Sequence, residues 1–190
     1  MKALEDRILK DGEVLPGHVL KVGSFLNQQM DVPFLMEMGE EIARLFADEG
    51  VTKVVTVEAS GIAIAFAAAA AMKLPMVFAK KHQTSNLGGA VYSASVHSYT
   101  HNKDYEIVIA KDYISKGEKL LIVDDFLANG CALRGLIEIA NQAGAEVAGL
   151  VTAIEKGFQG GGDALRKEGY RVEALALIDT MSDDSVTFRS

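Results

Sequence analysis

Apolar residues along this chain fall into short runs, rich in valine and isoleucine, that alternate with segments of helical spacing. The runs predict buried strands, because a strand covered on both faces needs apolar residues at successive positions. The predicted core strands cover residues 53–57, 76–79, 119–123, 146–155 and 170–178. The predicted helices cover residues 3–10, 62–73 and 131–143, with a further helix capped by Asp31 and stopped by Gly50 and a short one that Asp163 starts.

This alternation of strands and helices predicts an α/β fold: an open, mostly parallel sheet flanked by helices, within one domain spanning residues 1–190. Residues 19–22 are a weak additional strand. Two alternating segments around the turn 101–104 predict an antiparallel hairpin beside the core. The predicted loops are 58–61, 80–89, 124–131 and 155–162. Ligands of open α/β sheets bind beyond the carboxyl ends of the strands, so these loops hold the candidate site.

Composition narrows the class of protein. The formal net charge of −7 argues against a general nucleic-acid binder, which would carry a clustered basic face. A single cysteine, Cys131, cannot form an internal disulfide, and the sequence shows no metal-ligand spacing. The longest apolar run, residues 62–72, is too short to cross a membrane, and the charged N-terminus does not resemble a signal peptide. We therefore expect a soluble cytoplasmic protein that binds neither nucleic acid nor membranes.

The segment LIVDDFLANGCA, residues 121–132, carries the strongest functional signal. A buried strand leads into Asp124 and Asp125, and small residues then lead into a helix. The start of a helix offers free N–H groups and a positive dipole end, which suit a phosphate. Small residues let the backbone approach a ligand closely. Carboxylates beside a phosphate cradle match a sugar phosphate, with the two aspartates on ribose hydroxyls.

This segment resembles the signature of the phosphoribosyltransferase family, although Asn129-Gly130-Cys131 stands where many members have Thr-Gly-Gly or Thr-Gly-Thr. The resemblance implies the type I fold of that family, Asp124 and Asp125 as catalytic residues, and a cradle for the donor, phosphoribosyl pyrophosphate (PRPP). The residues of the implied cradle are Ala128, Asn129, Gly130, Cys131 and Ala132. The resemblance also implies a pyrophosphate loop at Ala59, Ser60 and Gly61. It further implies a flexible hood loop whose Lys81 is the stronger, and Lys80 the weaker, candidate for contacting pyrophosphate.

Over essentially the whole chain the sequence is similar to the bacterial xanthine phosphoribosyltransferases. That similarity implies base contacts from Leu20, Asn27 and Lys156, with Phe158 as a candidate for stacking on the purine. A cation at Lys156 would hold an oxopurine and disfavour adenine, whose exocyclic amine is a donor. The base-binding hood would be built from residues 1–30 and 155–190. Glu155 is expected to pair with its neighbour Lys156.

The resemblance implies transfer of the 5-phosphoribosyl group from PRPP to N9 of xanthine, giving the nucleotide XMP and pyrophosphate in purine salvage. It also implies Mg²⁺ held by substrate and water rather than by a protein cage, and a homodimer. Other purine specificities (guanine, hypoxanthine or adenine) stay open. So does a non-catalytic PRPP-sensing regulator, although residues 1–52 lack a basic helix-turn-helix unit. A third alternative is a receiver-type signalling domain. Such a domain would place its paired acids after the first strand and would not need the turn at residues 128–130.

Overall fold

The computed structural model describes residues 1–81, 89–98 and 103–189, and their helices and strands alternate as the sequence predicts. The helices are α1 Lys2–Asp11, α2 Val32–Leu45, α3 Gly61–Met72, α4 Cys131–Ala143 and α5 Gly161–Lys167. The strands are β1 Glu13–Leu15, β2 Val19–Lys21, β3 Lys53–Val57, β4 Met76–Ala79, β5 Val91–Ser98, β6 Lys103–Ala110, β7 Lys119–Leu127, β8 Glu146–Lys156, β9 Val172–Met181 and β10 Val186–Phe188. No helix in these ranges is long and apolar enough to cross a membrane.

The central sheet has six strands in the order β10-β9-β8-β7-β3-β4. Its neighbouring strands run parallel except for β10, which pairs antiparallel with β9. Apolar side chains cover both faces in two core clusters. One cluster draws on α1, α2 and α3, and the other on α4 and α5. The predicted α/β fold, an open and mostly parallel sheet between helices, is confirmed.

The two ends of α2 show one prediction that is confirmed and one that is wrong. Asp31 caps the helix by accepting a 3.3 Å hydrogen bond from the Phe34 N–H, as expected. The helix ends at Leu45, however, well before Gly50. Arg171 donates a 2.8 Å hydrogen bond to the Leu45 carbonyl, and its guanidinium lies 4.6 Å from the centroid of the Phe46 ring. These tertiary contacts satisfy the helix end and leave Gly50 in the turn beyond it.

The predicted loop 124–131 is largely wrong, because β7 continues as far as Leu127. Strand β8 lies alongside and extends the parallel ladder, with Asp124 opposite Thr152 and Leu127 opposite Glu155. Only residues 128–130 remain as the turn into α4. The predicted loop 155–162 is also shorter than expected, since β8 continues to Lys156 and α5 begins at Gly161 rather than at Asp163. The short strands β1 and β10 were not predicted from the sequence.

Strands β5 and β6 form the predicted antiparallel hairpin, paired from Val91–Ala110 to Ser98–Lys103. A single bridge between Lys80 and Val108 connects this hairpin to the end of β4. The hairpin packs on α4, where Gly135 lies against Val96 and Ile107 and has no room for a side chain. Residues 101 and 102 of the predicted turn and residues 82–88 of the predicted loop 80–89 lie outside the described residues.

Candidate active site

Asp124 and Asp125 lie near the carboxyl end of β7 and are both buried, with 6% and 7% of their surfaces exposed. The two carboxylates have different partners. The Asp125 N–H donates a 2.9 Å hydrogen bond to Asp124 Oδ1, and Asp125 Oδ2 accepts a 2.9 Å hydrogen bond from Asn27 Nδ2. Two carboxylates in one buried site interact strongly, and here each accepts a hydrogen bond from a different donor.

Burial raises the pKa of Asp124 well above its ordinary value, and the neighbouring Asp125 charge raises it further. The positive charge of Lys81 acts in the opposite direction. A carboxyl group in this state is costly to keep ionised without a partner. It is therefore ready to accept a hydrogen bond from a ligand hydroxyl, which would stabilise its charged form.

The turn 128–130 leads directly into the first turn of α4. Gly130, the residue before the helix, has a φ of 81°, a left-handed conformation that glycine adopts without strain. No side chain caps this helix start, so the N–H groups of the first turn are available to a ligand. They border a pocket of about 170 Å³ that Asp124, Asn129 and Cys131 line from the sheet side and Tyr105 from the hairpin. This is the predicted phosphate cradle.

Helix α5 fixes the shape of that turn from behind. The Gly161 N–H donates a 3.1 Å hydrogen bond to the Ala128 carbonyl. A Cβ on Gly161 would lie 2.2 Å from the same oxygen, so any side chain would push the two segments apart. The glycines at 161 and 162 therefore allow a helix to pack on the cradle, although from sequence they suggest only a flexible loop.

Glu155 anchors α5 to the sheet. It is 1% exposed and pairs with Arg166 through two hydrogen bonds of 2.8 and 2.7 Å. The expected pairing of Glu155 with Lys156 is therefore wrong. Successive side chains of a strand point in opposite directions, so Glu155 faces α5 and Lys156 does not.

The predicted pyrophosphate loop reaches over Asp124. Residues 58–60 form the turn after β3, which contains a cis Glu58–Ala59 peptide bond, and Gly61 begins α3. A Cβ on Gly61 would lie 2.3 Å from Thr56 Oγ1 and 2.8 Å from Asp124 Oδ1. Only glycine lets the loop approach the carboxylate this closely. Ala59 and Ser60 thus lie within a few residues of the predicted ribose site.

The two lysines that follow β4 have different surroundings. The Lys81 N–H donates a 2.7 Å hydrogen bond to Glu58 Oε1, and its ammonium lies 5.3 Å from the centroid of the Tyr105 ring. Lys81 therefore lies between the turn 58–60 and a residue that lines the cradle pocket. Lys80 instead lines a separate cavity of about 460 Å³ between β4 and β6, at the edge of the sheet. The structure favours Lys81 over Lys80 as the pyrophosphate candidate.

Three of the four base-side candidates make contacts with residues distant in sequence. Leu20 is buried, and Asn27 bonds to Asp125. Lys156 donates a 2.7 Å hydrogen bond to the His18 carbonyl, and Phe158 places its ring 5.2 Å from the His18 ring. These contacts bring residues near both ends of the chain together.

Phe126, which the sequence did not single out, lies beneath Lys156. Its ring centroid is 5.6 Å from Lys156 Nζ, within the range of a cation–π contact. Lys156 is partly buried, so its ammonium is only partly hydrated. This loss of hydration lowers the pKa of Lys156. A cation in this condition gains more from an oxygen acceptor than a fully solvated lysine would.

The comparisons with known proteins agree with this geometry. The phosphoribosyl transferase domain model matches residues 31–181. The chain belongs to the phosphoribosyltransferase family. It is 52% identical to a protein named xanthine phosphoribosyltransferase from Lactobacillus delbrueckii subsp. bulgaricus, over 99% of this chain and 100% of that protein. It is 49% identical to one of the same name from Lachnoclostridium phytofermentans, over 100% of this chain and 98% of the other.

Solved phosphoribosyltransferases share the fold at low sequence identity. The adenine phosphoribosyltransferase of Giardia lamblia, solved with 9-deazaadenine, superposes with a TM-score of 0.76 at 19% identity. The match covers 92% of this chain and 96% of that one. At this identity the likeness supports the fold alone, and it confirms the predicted type I phosphoribosyltransferase architecture.

Besides Phe126, two residues near the candidate site were not predicted from the sequence. Tyr105 lines the cradle pocket from a strand of ordinary alternating pattern, and nothing in its neighbourhood marks it as functional. Thr56 is fully buried in β3, and its hydroxyl oxygen has no hydrogen-bond partner within the described ranges. Its position just before the predicted pyrophosphate loop is the one signal that could have pointed to it.

Proposed function

We propose that the protein catalyses transfer of the 5-phosphoribosyl group from PRPP to N9 of xanthine, which gives XMP and pyrophosphate in purine salvage. One arrangement carries the proposal: the buried Asp124 and Asp125 lie between the free start of α4 and the base-side residues Asn27 and Lys156. A ribose bound at the two carboxylates would extend its phosphate towards the helix and its C1 towards Asn27. The names of the relatives at 49–52% identity support the choice of base.

On the donor side, the residues bind and orient. The first-turn N–H groups of α4, with the backbone of residues 128–132, receive the 5-phosphate. Asp124 and Asp125 accept hydrogen bonds from the ribose hydroxyls. The turn Ala59, Ser60 and Gly61 and the ammonium of Lys81 receive the pyrophosphate. The reaction needs no covalent enzyme intermediate, so catalysis rests on positioning and on stabilising charge as C1 gains oxocarbenium character.

On the base side, donors and acceptors select an oxopurine. Lys156 presents a cation to a carbonyl oxygen or N7 of the base, and the donor-only ammonium disfavours the exocyclic amine of adenine. Asn27 can donate and accept along the base edge. Leu20 supplies an apolar wall, and the partly exposed Phe158 lies where it could cover the ring. Residues 1–30 and 155–190 would together form the base-binding hood, which the contacts of His18 with Lys156 and Phe158 support.

The donor set fits Mg²⁺ bound with the substrate. Hard oxygen ligands suit this ion, and it commonly keeps several waters and binds through one or two carboxylates together with phosphates. The described residues hold no cluster of three or more potential ligands, while Asp124 and Asp125 offer carboxylate oxygens beside the cradle. When bound, Mg²⁺ neutralises charge on the departing pyrophosphate. The protein's part would be to hold the ribose hydroxyls at Asp124 and Asp125.

The decisive experiment measures nucleotide formation. Purified protein, Mg²⁺ and PRPP are incubated separately with xanthine, guanine, hypoxanthine, adenine and orotate, and products are separated by chromatography. We expect the highest kcat/KM with xanthine. Turnover of none of the bases would refute the enzyme, and tight PRPP binding without turnover would instead favour a PRPP-sensing regulator. A preference for adenine would refute the role of Lys156.

Assembly and location are further parts of the proposal. We expect a homodimer in solution, which light scattering coupled to gel filtration tests directly. We also place the protein in the cytoplasm, because PRPP is a highly charged metabolite that does not cross membranes unaided. Fractionation of the source cells tests that placement.

A further inference from the structure

Tyr105 belongs to strand β6 of the hairpin, yet it lines the cradle pocket together with Asp124 and Cys131. Asp124 and Cys131 come from the core sheet and from α4. The pocket therefore has a wall that the strand-loop-helix signature does not supply. Packing holds this wall in place, because the neighbouring hairpin residues Val96 and Ile107 are buried against α4 at Gly135.

Tyr105 also has a defined relation to Lys81. The Lys81 ammonium lies 5.3 Å from the centroid of the Tyr105 ring, and the Lys81 backbone is held by Glu58 through its 2.7 Å hydrogen bond. Lys81 is thus fixed at both ends, by the pyrophosphate turn and by the hairpin. This arrangement places its charge close enough to Asp124 to act on that carboxyl group.

The phenol keeps its proton in the pH range where the protein works. Burial raises the pKa of Tyr105, and the charges of Asp124 and then Cys131 raise it further. Tyr105 can therefore act as a hydrogen-bond donor but not as a base. The ligand expected in this pocket is anionic, and a neutral O–H beside a helix start adds a donor there without adding charge.

We propose that Tyr105 is a donor-binding residue of the phosphoribosyl transfer: its hydroxyl donates to a phosphate oxygen of PRPP, and its ring holds the Lys81 ammonium beside Asp124. This inference rests on the proposed function. It gives the hairpin a direct part in binding the donor.

The test separates the hydroxyl from the ring. PRPP binding in the presence of Mg²⁺ is measured by calorimetry for wild type, Tyr105→Phe and Tyr105→Leu, and KM and kcat are measured for both substrates. We expect Tyr105→Phe to weaken PRPP binding about tenfold, as for loss of a hydrogen bond to a charged group. Tyr105→Leu should weaken it a further few-fold, because Lys81 loses its aromatic contact. The KM for xanthine should change less than about twofold.

Tyr92 is the matched control. It lies on the partner strand β5 and has a similar cation–π contact, with Lys111 Nζ 5.1 Å from its ring centroid, but it does not line the cradle pocket. Tyr92→Phe and Tyr92→Leu should leave PRPP affinity unchanged. Melting temperatures of all variants show whether any loss of affinity comes from unfolding.

Each outcome decides a separate point. If wild-type protein does not bind PRPP, the proposed function itself fails. If wild type binds and Tyr105→Phe binds equally well, the hydroxyl assignment is overturned. A separate test concerns Lys81. Lys81→Ala is introduced into wild type and into Tyr105→Leu. It should weaken binding clearly in the first and only slightly in the second, and equal losses would overturn the positioning of Lys81.

Discussion

Asn27 donates a 2.9 Å hydrogen bond to Asp125, which joins the proposed base contact to a proposed ribose contact. The two residues are 98 positions apart in sequence. Asn27 lies in a π-helical turn, Gly23–Asn27, whose neighbours Phe25 and Leu26 are buried in the core. A side chain anchored in this way can orient the Asp125 carboxylate while it offers its remaining donor and acceptor to a base.

The first prediction concerns this link. Asn27→Ala should raise the KM for PRPP as well as the KM for xanthine, each by roughly tenfold, because Asp125 loses a hydrogen bond to a charged group. Steady-state kinetics with each substrate varied in turn measures both values. Gln28→Ala, an exposed neighbour, is the control and should be neutral. A change confined to xanthine would mean that Asn27 acts on the base alone.

The second prediction concerns Asp124, whose raised pKa makes it a cost to stability. In the pH window between its unfolded and its folded pKa the native state binds the extra proton, so stability falls as pH rises through that window. Asp124→Asn removes the buried charge and should raise the melting temperature at pH 7.5 by about 2–4 °C per kcal/mol regained. The same change should cut kcat/KM for PRPP by roughly 10–100-fold, because the amide replaces a charged acceptor.

Thermal melts at several pH values check the sign. Below the ordinary pKa of an aspartate both states of the wild type are protonated, so the advantage of Asp124→Asn should disappear in acid. The exposed Asp6→Asn is the control and should show little change at any pH. A variant less stable than wild type at pH 7.5 would contradict the interpretation.

The third prediction concerns the cation of the base side. Lys156→Ala should raise the KM for xanthine by roughly 10–100-fold, the range for a hydrogen bond to a charged group, and change the KM for PRPP less than about threefold. Lys21→Ala removes an exposed lysine from the adjacent β1–β2 hairpin, where it pairs with Glu13, and should leave both constants unchanged. Equal losses for both substrates would count against Lys156 as a contact of the base.

The fourth prediction concerns the packing behind the cradle. Gly161→Ala places a Cβ within 2.2 Å of the Ala128 carbonyl oxygen, so the turn 128–130 must move. We expect PRPP binding to weaken at least about tenfold and the melting temperature to fall. Ala164→Gly in the same helix costs about 1 kcal/mol through helix propensity but introduces no clash. It should lower the melting temperature while PRPP affinity, measured by calorimetry, is retained.

The sequence predicted those parts of the structure that depend on neighbouring residues. Strands 53–57 and 76–79 and helix 131–143 match because their apolar patterns and end signals are local. The segment around Asp124 and Asp125 could be recognised for the same reason, since carboxylates, turn and helix start follow each other directly.

The parts that the sequence did not predict depend on contacts between distant residues. The extension of β7 to Leu127 requires β8 alongside, and the early end of α2 requires Arg171. The contact of Lys81 with Tyr105 and the pairing of Glu155 with Arg166 arise only when separate elements pack together. Residue spacing along the chain carries no signal for such pairs.

The last prediction compares two arginine–glutamate pairs of different burial. Arg166 holds Glu155, which is 1% exposed, whereas Arg134 and Glu168 are 42% and 45% exposed at their side chains. Arg166→Met leaves a carboxylate buried without its partner and should cost about 3 kcal/mol of unfolding free energy. Arg134→Met should cost less than about 1 kcal/mol, because water screens an exposed pair. Urea unfolding measures both values.

The buried pair also holds α5 against the cradle, so the two variants should differ in binding as well. Through the Gly161–Ala128 hydrogen bond, loosening α5 loosens the turn 128–130. PRPP affinity should therefore fall several-fold in Arg166→Met and stay unchanged in Arg134→Met. A double variant, Arg166→Met with Glu155→Gln, removes the orphaned charge and should recover part of the stability. Recovery of stability without recovery of affinity would show that the ion pair orients α5, beyond neutralising Glu155.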